Sequence, residues 1–262
     1  MLSGIALAAI ALAALWSGVW PFGILVAFVA GIACWEWGRM IRNSGFDGFL
    51  LLHGAIVVLS TLASTAGYAV PASVALVVGA IVLVILRLGA RDSLTGLGVL
   101  AIGFPAVSLA HLRGDSSLGF EAVLFLFAVV WMTDIGGYVF GRTIGGPRLW
   151  QAISPGKTWA GAIGGLALAA ITGALAGGFV ANRDVVGSVL AAIMLGLAAE
   201  MGDLAESGLK RRYGRKDASA LIPGHGGVLD RIDGLLAAAI VALVFAMLRD
   251  PMHPAAGLLI WP

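Results

Sequence analysis

The sequence predicts an all-α integral membrane protein with about nine transmembrane helices, and three observations carry that prediction. Of the 262 residues, 60% are apolar and only 11% are charged. A soluble domain carries about 25% charged residues, so this chain lacks the polar surface to face water all round. The 38 glycines suit a bilayer, where small residues let helix backbones approach closely. Apolar stretches near the length that crosses a bilayer, about 20 residues, recur from end to end.

Taken in order, the expected helices run Leu2–Trp20, Phe22–Trp37, Phe49–Ala69, Pro71–Leu88, Leu94–Leu112, Leu118–Phe140, Thr158–Val180, Val185–Leu209 and Ile232–Leu248. Pro21 separates the first two, which reads as a tight hairpin or one kinked element. Pro71 stands where a helix starts without losing a hydrogen bond. No Lys or Arg precedes Arg39, so the start lacks the basic region of a cleaved signal and reads as a retained spanning helix. The single cysteine, Cys34, excludes an internal disulfide and reads as a small apolar helix residue. One polytopic domain is expected over 1–262, with N-terminal helices in 1–115 and catalytic helices and loops in 116–262.

The net charge of +2 is uninformative, but its distribution is not. With the N-terminus outside, the loops after helices 2, 4, 6 and 8 collect Arg39, Arg42, Arg87, Arg91, Arg142, Arg148, Lys157, Lys210, Arg211, Arg212, Arg215, Lys216 and Arg231. Only Arg113, Arg183 and Arg249 fall on the other face. The positive-inside rule therefore places the two longest polar loops in the cytoplasm. GxxxG spacings at Gly161/Gly165 and Gly173/Gly177 suit helix packing within one chain or between two, and so admit a homodimer.

An ionisable group inside a spanning helix costs about 2.5–3.5 kcal/mol on insertion scales, so it needs a partner, a cation or water. Asp134, Glu200 and Asp203 all lie in or at the ends of such helices. Glu200, Asp203 and Glu206 recur every three residues, on adjacent parts of one helical face. Lys210 follows Glu206 by four and favours an ion pair. Glu36 is read differently, as a helix-end carboxylate that snorkels or pairs with Arg39 or Arg42.

Ser207 to Asp217 then packs Lys210, Arg211, Arg212, Arg215 and Lys216 into a short run. Such a run suits either anionic headgroups or a polyphosphate. Pro223-Gly-His225-Gly226-Gly227 follows, a loop whose amides can approach an anion. Asp230 and Asp233 come next, spaced i, i+3 as the last helix begins. Carboxylates are the hard oxygen ligands that Mg²⁺ takes, with substrate phosphates completing its shell. Together these features describe a metal-assisted phosphoryl-type site. A second cluster runs from Asp134-Ile-Gly-Gly-Tyr138 to Ser154-Pro-Gly-Lys157-Thr158. Its Gly-Lys-Thr is not a P-loop, since Gln151 stands where the pattern needs Gly and no strand is expected before it. Ser154, Lys157 and Thr158 suit phosphate binding at a helix start, or a simple helix cap.

The run Ser207-x-Leu209-Lys210-Arg211-x4-Lys216-Asp217-x5-Pro223-x-His225-Gly226-Gly227-x2-Asp230-Arg231-x-Asp233 resembles the signature of the phosphatidate cytidylyltransferases, or CDP-diacylglycerol synthases. Asp134 to Tyr138 and Ser154-Pro-x-Lys157-Thr158-Trp159 resemble two further segments of that family. This chain departs from the pattern at Gly156, where the family usually has Lys, and at Ala160, where it has Glu.

The resemblance implies that CTP and phosphatidic acid give CDP-diacylglycerol and pyrophosphate, with Mg²⁺ or another divalent cation. It implies Asp203 and Asp230 as metal ligands, supported by Asp233 and Glu206. Lys210, Arg211 and Lys216 would neutralise phosphates, with Asp217 and His225 also in the catalytic set. Asp134, Ser154, Lys157, Thr158, Ser207, Gly226, Gly227 and Arg231 would bind substrate. The expected partners are CTP, phosphatidic acid and the lipid bilayer, with no nucleic acid. The expected location is a bacterial inner membrane, crossed many times. Two other classes compete. A cation-coupled transporter would place carboxylates mid-bilayer and repeat its halves, and neither feature is found. A transferase acting on a polyprenol differs only through the family signature.

Overall fold

The computed structural model describes residues 2–42, 47–87, 94–115, 118–179, 184–222 and 226–261. These residues form ten helices and one two-stranded sheet, in the order α1 (Leu2–Ser17), α2 (Val19–Arg42), α3 (Gly48–Thr65), α4 (Ala69–Leu86), α5 (Leu94–Gly114), α6 (Gly119–Thr143), β1 (Arg148–Trp150), β2 (Ser154–Thr158), α7 (Trp159–Phe179), α8 (Val185–Arg212), α9 (Leu229–Arg249) and α10 (Pro254–Leu259). Eight of the helices, α2 to α9, are long and apolar enough to cross a membrane. The expected first span falls short: α1 has 16 residues, and at about 1.5 Å per residue it covers roughly 24 Å. The protein is an α-helical, multi-pass membrane protein.

The chain divides into two compact units. The first comprises Met1–Ser116 and Arg212–Ile232. Here the break between α1 and α2 falls at Gly18, whose φ of 122° suits only glycine, and not at Pro21 as the sequence suggested. Pro21 lies instead in the first turn of α2, where no amide partner is lost. Arg113 of α5 donates to the Leu15 carbonyl through Nε and Nη2, at 3.3 and 3.1 Å, and so fastens the end of α1. Asp47 caps α3, accepting from the Leu50 amide at 2.7 Å, and pairs with Arg42 at 3.2 Å. The helix α5 is the central element, packed on α2, α3 and α4. Two close approaches set that packing: a Cβ at Gly98 would strike the Trp37 indole, and one at Gly103 would strike Leu76. On α4, Val70, Val74, Val78, Ile81 and Ile85 are all more than half exposed, a lipid-facing stripe.

The second unit comprises Ser117–Arg211 and Asp233–Pro262. Both GxxxG faces are used inside it. A Cβ at Gly161 would strike α6 at the Gly137 carbonyl, and one at Gly173 would strike α8 at the Ser188 carbonyl. The intrachain use of these spacings is therefore the one realised. Hydroxyls within spans satisfy themselves on their own helix: Thr133 donates to the Val129 carbonyl and Thr172 to Leu168, each at 2.8 Å. That matters where lipid offers no hydrogen-bonding partner.

Three local expectations are corrected. The segment Ser154–Thr158 is a strand and not the first turn of a helix, and β1 does precede it, as an antiparallel partner. The antiparallel pairing of these two short strands satisfies backbone groups of both segments. Helix α8 runs on to Arg212, so Ser207, Lys210 and Arg211 are helical and the loop starts at Tyr213. Beyond the last expected span, α10 forms from Pro254, and Arg249 holds it by donating to the carbonyls of Gly257 and Ile260 at 2.6 and 2.8 Å.

Candidate active site

The residues singled out from the sequence gather in two clusters, one in each unit. In the second unit the cluster is built on α8. Its carboxylates Glu200, Asp203 and Glu206 follow one another at the i, i+3 spacing that the sequence suggested. Strand β2 leads into α7 and brings Lys157 to this face. Lys157 Nζ lies 2.7 Å from Asp203 Oδ2 and 3.5 Å from the Glu200 carbonyl oxygen. Ser207 Oγ donates to Asp203 Oδ1 at 3.3 Å, so both Asp203 oxygens are engaged. Arg211, exposed, donates from Nε to the Ile153 carbonyl at 3.3 Å and ties the hairpin turn to the end of α8. Ser154, at the start of β2, is half-buried.

Close helix packing places the rest. A Cβ on Gly202 would lie 2.8 Å from the Asp233 carbonyl oxygen, so only glycine lets α9 approach α8 here. Asp233 thereby comes into electrostatic reach of Asp203 and Glu206, and its Oδ1 accepts from the Gly234 amide at 2.8 Å. A Cβ on Gly165 would lie 2.8 Å from Glu200 Oε1, so α7 leaves room for that carboxylate. Asp134, exposed on α6, acts electrostatically on Glu200, as do Lys157 and Asp203. Lys210 is buried, and its Nζ lies 2.6 Å from Glu206 Oε2. The expected ion pair is present, and it commits that ammonium inside the fold. Thr158 is buried and accepts from the Gly161 amide at 3.1 Å, which is the capping role weighed from sequence.

In the first unit the cluster is the loop that leads to α9. Ile222 and Gly226 bridge its two limbs, and Gly226 adopts a φ of 80°. Both Asp230 oxygens face amides of this loop: Oδ2 accepts from Gly227 at 2.6 Å and from Ala218 at 3.0 Å, and Oδ1 lies 3.2 Å from Ala218. Lys216, Asp217 and Arg231 are exposed. His225 lies outside the described residues.

One residue was misread. Glu36 of α2 neither snorkels nor pairs with Arg39 or Arg42; it is fully buried. Its Oε1 accepts from Ser219 Oγ at 2.6 Å and from the Val228 amide at 2.9 Å, and its Oε2 accepts from the Leu229 amide at 2.6 Å. A signal was available. The insertion-cost argument applied to the acids of α8 applies equally to a carboxylate inside α2.

The donor set suits a hard divalent cation. In the second unit Glu200, Asp203, Glu206 and Asp233 face only Lys157 and Lys210 among the ion pairs given above, and all offer oxygen. Among the described residues no three acidic, histidine or cysteine side chains converge to enclose a metal as they stand. Mg²⁺ needs no such cage, since one or two carboxylates with substrate phosphates complete its shell. Chemically, the arrangement can hold phosphates and a cation. Among the described residues it offers no nucleophile–base pair of the Ser–His or Cys–His kind.

Comparison with known proteins shows the family. The description of the cytidylyltransferase family matches residues 1–248. A phosphatidate cytidylyltransferase of Brucella suis is 38% identical over 98% of this chain and 96% of its own length. One from Brucella abortus is 38% identical over 96% of this chain and 94% of its own. One from Staphylococcus haemolyticus is 39% identical over 53% of this chain and 54% of its own. With the match spanning nearly every helix and both clusters, this chain belongs to the cytidylyltransferase family.

Proposed function

We infer that this protein is a membrane-embedded phosphatidate cytidylyltransferase, which makes CDP-diacylglycerol and pyrophosphate from CTP and phosphatidic acid for phospholipid biosynthesis. The observation that carries this reading is family membership over residues 1–248 together with near-full-length relatives of that name. In the reaction a phosphate oxygen of phosphatidic acid attacks the α-phosphorus of CTP. The bond from that phosphorus to the bridging oxygen of the β-phosphate breaks, and pyrophosphate leaves. The attacking phosphate is already ionised near neutral pH, so the step needs no general base. Its obstacle is repulsion between two polyanions, which positioning and charge neutralisation overcome.

We assign Asp203, with Asp233 and Glu206 in support, to hold Mg²⁺, and Asp230 likewise at the start of α9. When bound, Mg²⁺ would neutralise phosphate charge and orient the triphosphate. Lys157 sits beside Asp203 and is placed to take a phosphate once substrate competes for it. Arg211, Lys216 and Arg231 supply further positive charge, and the amides of Gly226 and Gly227 suit phosphate oxygens. By the positive-inside rule the polar ends face the cytoplasm, and the bacterial relatives favour the inner membrane. A homodimer would use surfaces other than the two GxxxG faces.

The test is an assay of purified protein in detergent with labelled CTP, phosphatidate and Mg²⁺. CDP-diacylglycerol is expected, with loss on chelation and recovery on adding Mg²⁺. Asp230→Asn and Asp203→Asn should each lower turnover by about 100-fold or more while the helical content is kept. No product under varied lipid and salt conditions would sink the activity. Near-normal rates in both variants would sink the metal assignment alone.

A further inference from the structure

Glu36 is a carboxylate taken fully out of solvent, and such a group persists only when its oxygens are filled. Three donors fill them, and all come from the stretch Ser219 to Leu229, more than 180 residues along the chain. Two of them, the amides of Val228 and Leu229, belong to the start of α9. The first amides of a helix have no partner within it, and Val228 carries no side-chain acceptor to supply one. Glu36 therefore caps α9 from another helix, with its negative charge at the positive end of the dipole. The third donor, Ser219 Oγ, comes from the opposite limb of the same loop. At Gly227 a Cβ would collide with the Glu36 carboxylate, so the glycine is required by this contact.

The loop thus hangs on two carboxylates. Asp230 joins the limbs through Gly227 and Ala218, and Glu36 joins them through Leu229, Val228 and Ser219. Their chemical settings differ. Asp230 is half-buried, where a ligand can draw it away from the amides. Glu36 is sealed in.

We propose that Glu36 is a positioning residue that clamps the two limbs 218–222 and 226–228 to the first turn of α9, so that these limbs keep their places when Asp230 turns to a ligand. The ligand class is a nucleoside triphosphate with its divalent cation. That much rests on the functional reading above, while the clamp itself does not.

Glu36→Gln tests it. A Gln side chain has one acceptor oxygen and sets an NH₂ against at least one of the three donors. In hydrogen exchange followed by mass spectrometry, peptides covering residues 218–230 should exchange at least ~10-fold faster than in the parent, with α4 and α6 unchanged. The KM for CTP and the Mg²⁺ level giving half the maximal rate should both rise at least ~5-fold, with KM for phosphatidate within about twofold. Ser219→Ala removes one donor and should move the same quantities by about two- to threefold. If Glu36→Gln does not yield folded protein, Ser219→Ala and Glu36→Asp carry the test. Unchanged exchange over 218–230 in the folded variants would overturn the clamp. So would a fall in kcat alone, with KM and Mg²⁺ dependence unmoved. If the parent protein makes no CDP-diacylglycerol, the functional reading fails, and the exchange measurement still decides the clamp.

Discussion

Replacing Lys210 by methionine separates a structural ammonium from one that meets substrate. Lys210 Nζ and Glu206 Oε2 are 2.6 Å apart, and their side chains are only 11% and 7% exposed. Removing one partner of a buried pair leaves the other charge uncompensated, at about 3–5 kcal/mol. At roughly 2–4 °C per kcal/mol for a chain of this size, Lys210→Met should lower the melting midpoint by about 6–20 °C. Replacing both, as Lys210→Met with Glu206→Gln, removes the stranded charge and should recover at least about half of the loss. The assay is thermal unfolding in detergent followed by far-ultraviolet circular dichroism, with CDP-diacylglycerol formation measured on the same samples. A single variant melting within about 2 °C of the parent, or a double variant melting no higher than the single, would refute the reasoning. Turnover adds the second distinction. If the double variant regains stability and rate together, the lysine is structural. If it regains stability and stays inactive, the pair also serves the chemistry, through Lys210 at the phosphates or Glu206 at the cation.

Three further substitutions follow from local geometry. Thr158→Ala removes the oxygen that accepts from the Gly161 amide and should cost about 1 kcal/mol, read as a melting shift of roughly 2–4 °C. Gly165→Ala puts a Cβ 2.8 Å from both Glu200 Oε1 and the Thr133 carbonyl oxygen; overpacking of about 1–3 kcal/mol is expected, read as a lower melting midpoint. Gly156→Lys fills a position that is exposed and has nothing within 4 Å of a Cβ. It should leave stability within about 0.5 kcal/mol and lower the KM for CTP in steady-state assays, if the cation that the family resemblance implies at this position contacts the nucleotide.

Much of this architecture was legible in the chain because lipid imposes a simple rule. Every backbone group must be satisfied within its own segment, so a long apolar run can only be a helix. The eight spanning-length helices follow the predicted stretches to within a few residues for that reason. The exceptions lie where another rule competes. The turn between α1 and α2 went to Gly18 and not Pro21, because a positive φ is scarcer than a proline-compatible first turn. The strand at Ser154 was not legible because its partner, Arg148–Trp150, is too short and irregular to announce itself by alternation.

The candidate site divides in the same way. Sequence alone picked out the acids of α8, the cation run, the glycine loop and Asp230 with Asp233, because each breaks the apolar pattern at a cost that demands a reason. It also foresaw the Glu206–Lys210 pair, since a four-residue helical spacing is local. It could not say that Lys157 meets Asp203, or that Glu36 holds Ser219, Val228 and Leu229. Those contacts join residues 46 and 183 to 193 positions apart, and no periodicity encodes them. They depend on how closely helices approach, which the glycines at 165, 202 and 227 permit. Only the folded chain decides which carboxylate faces a cation and which one holds a loop.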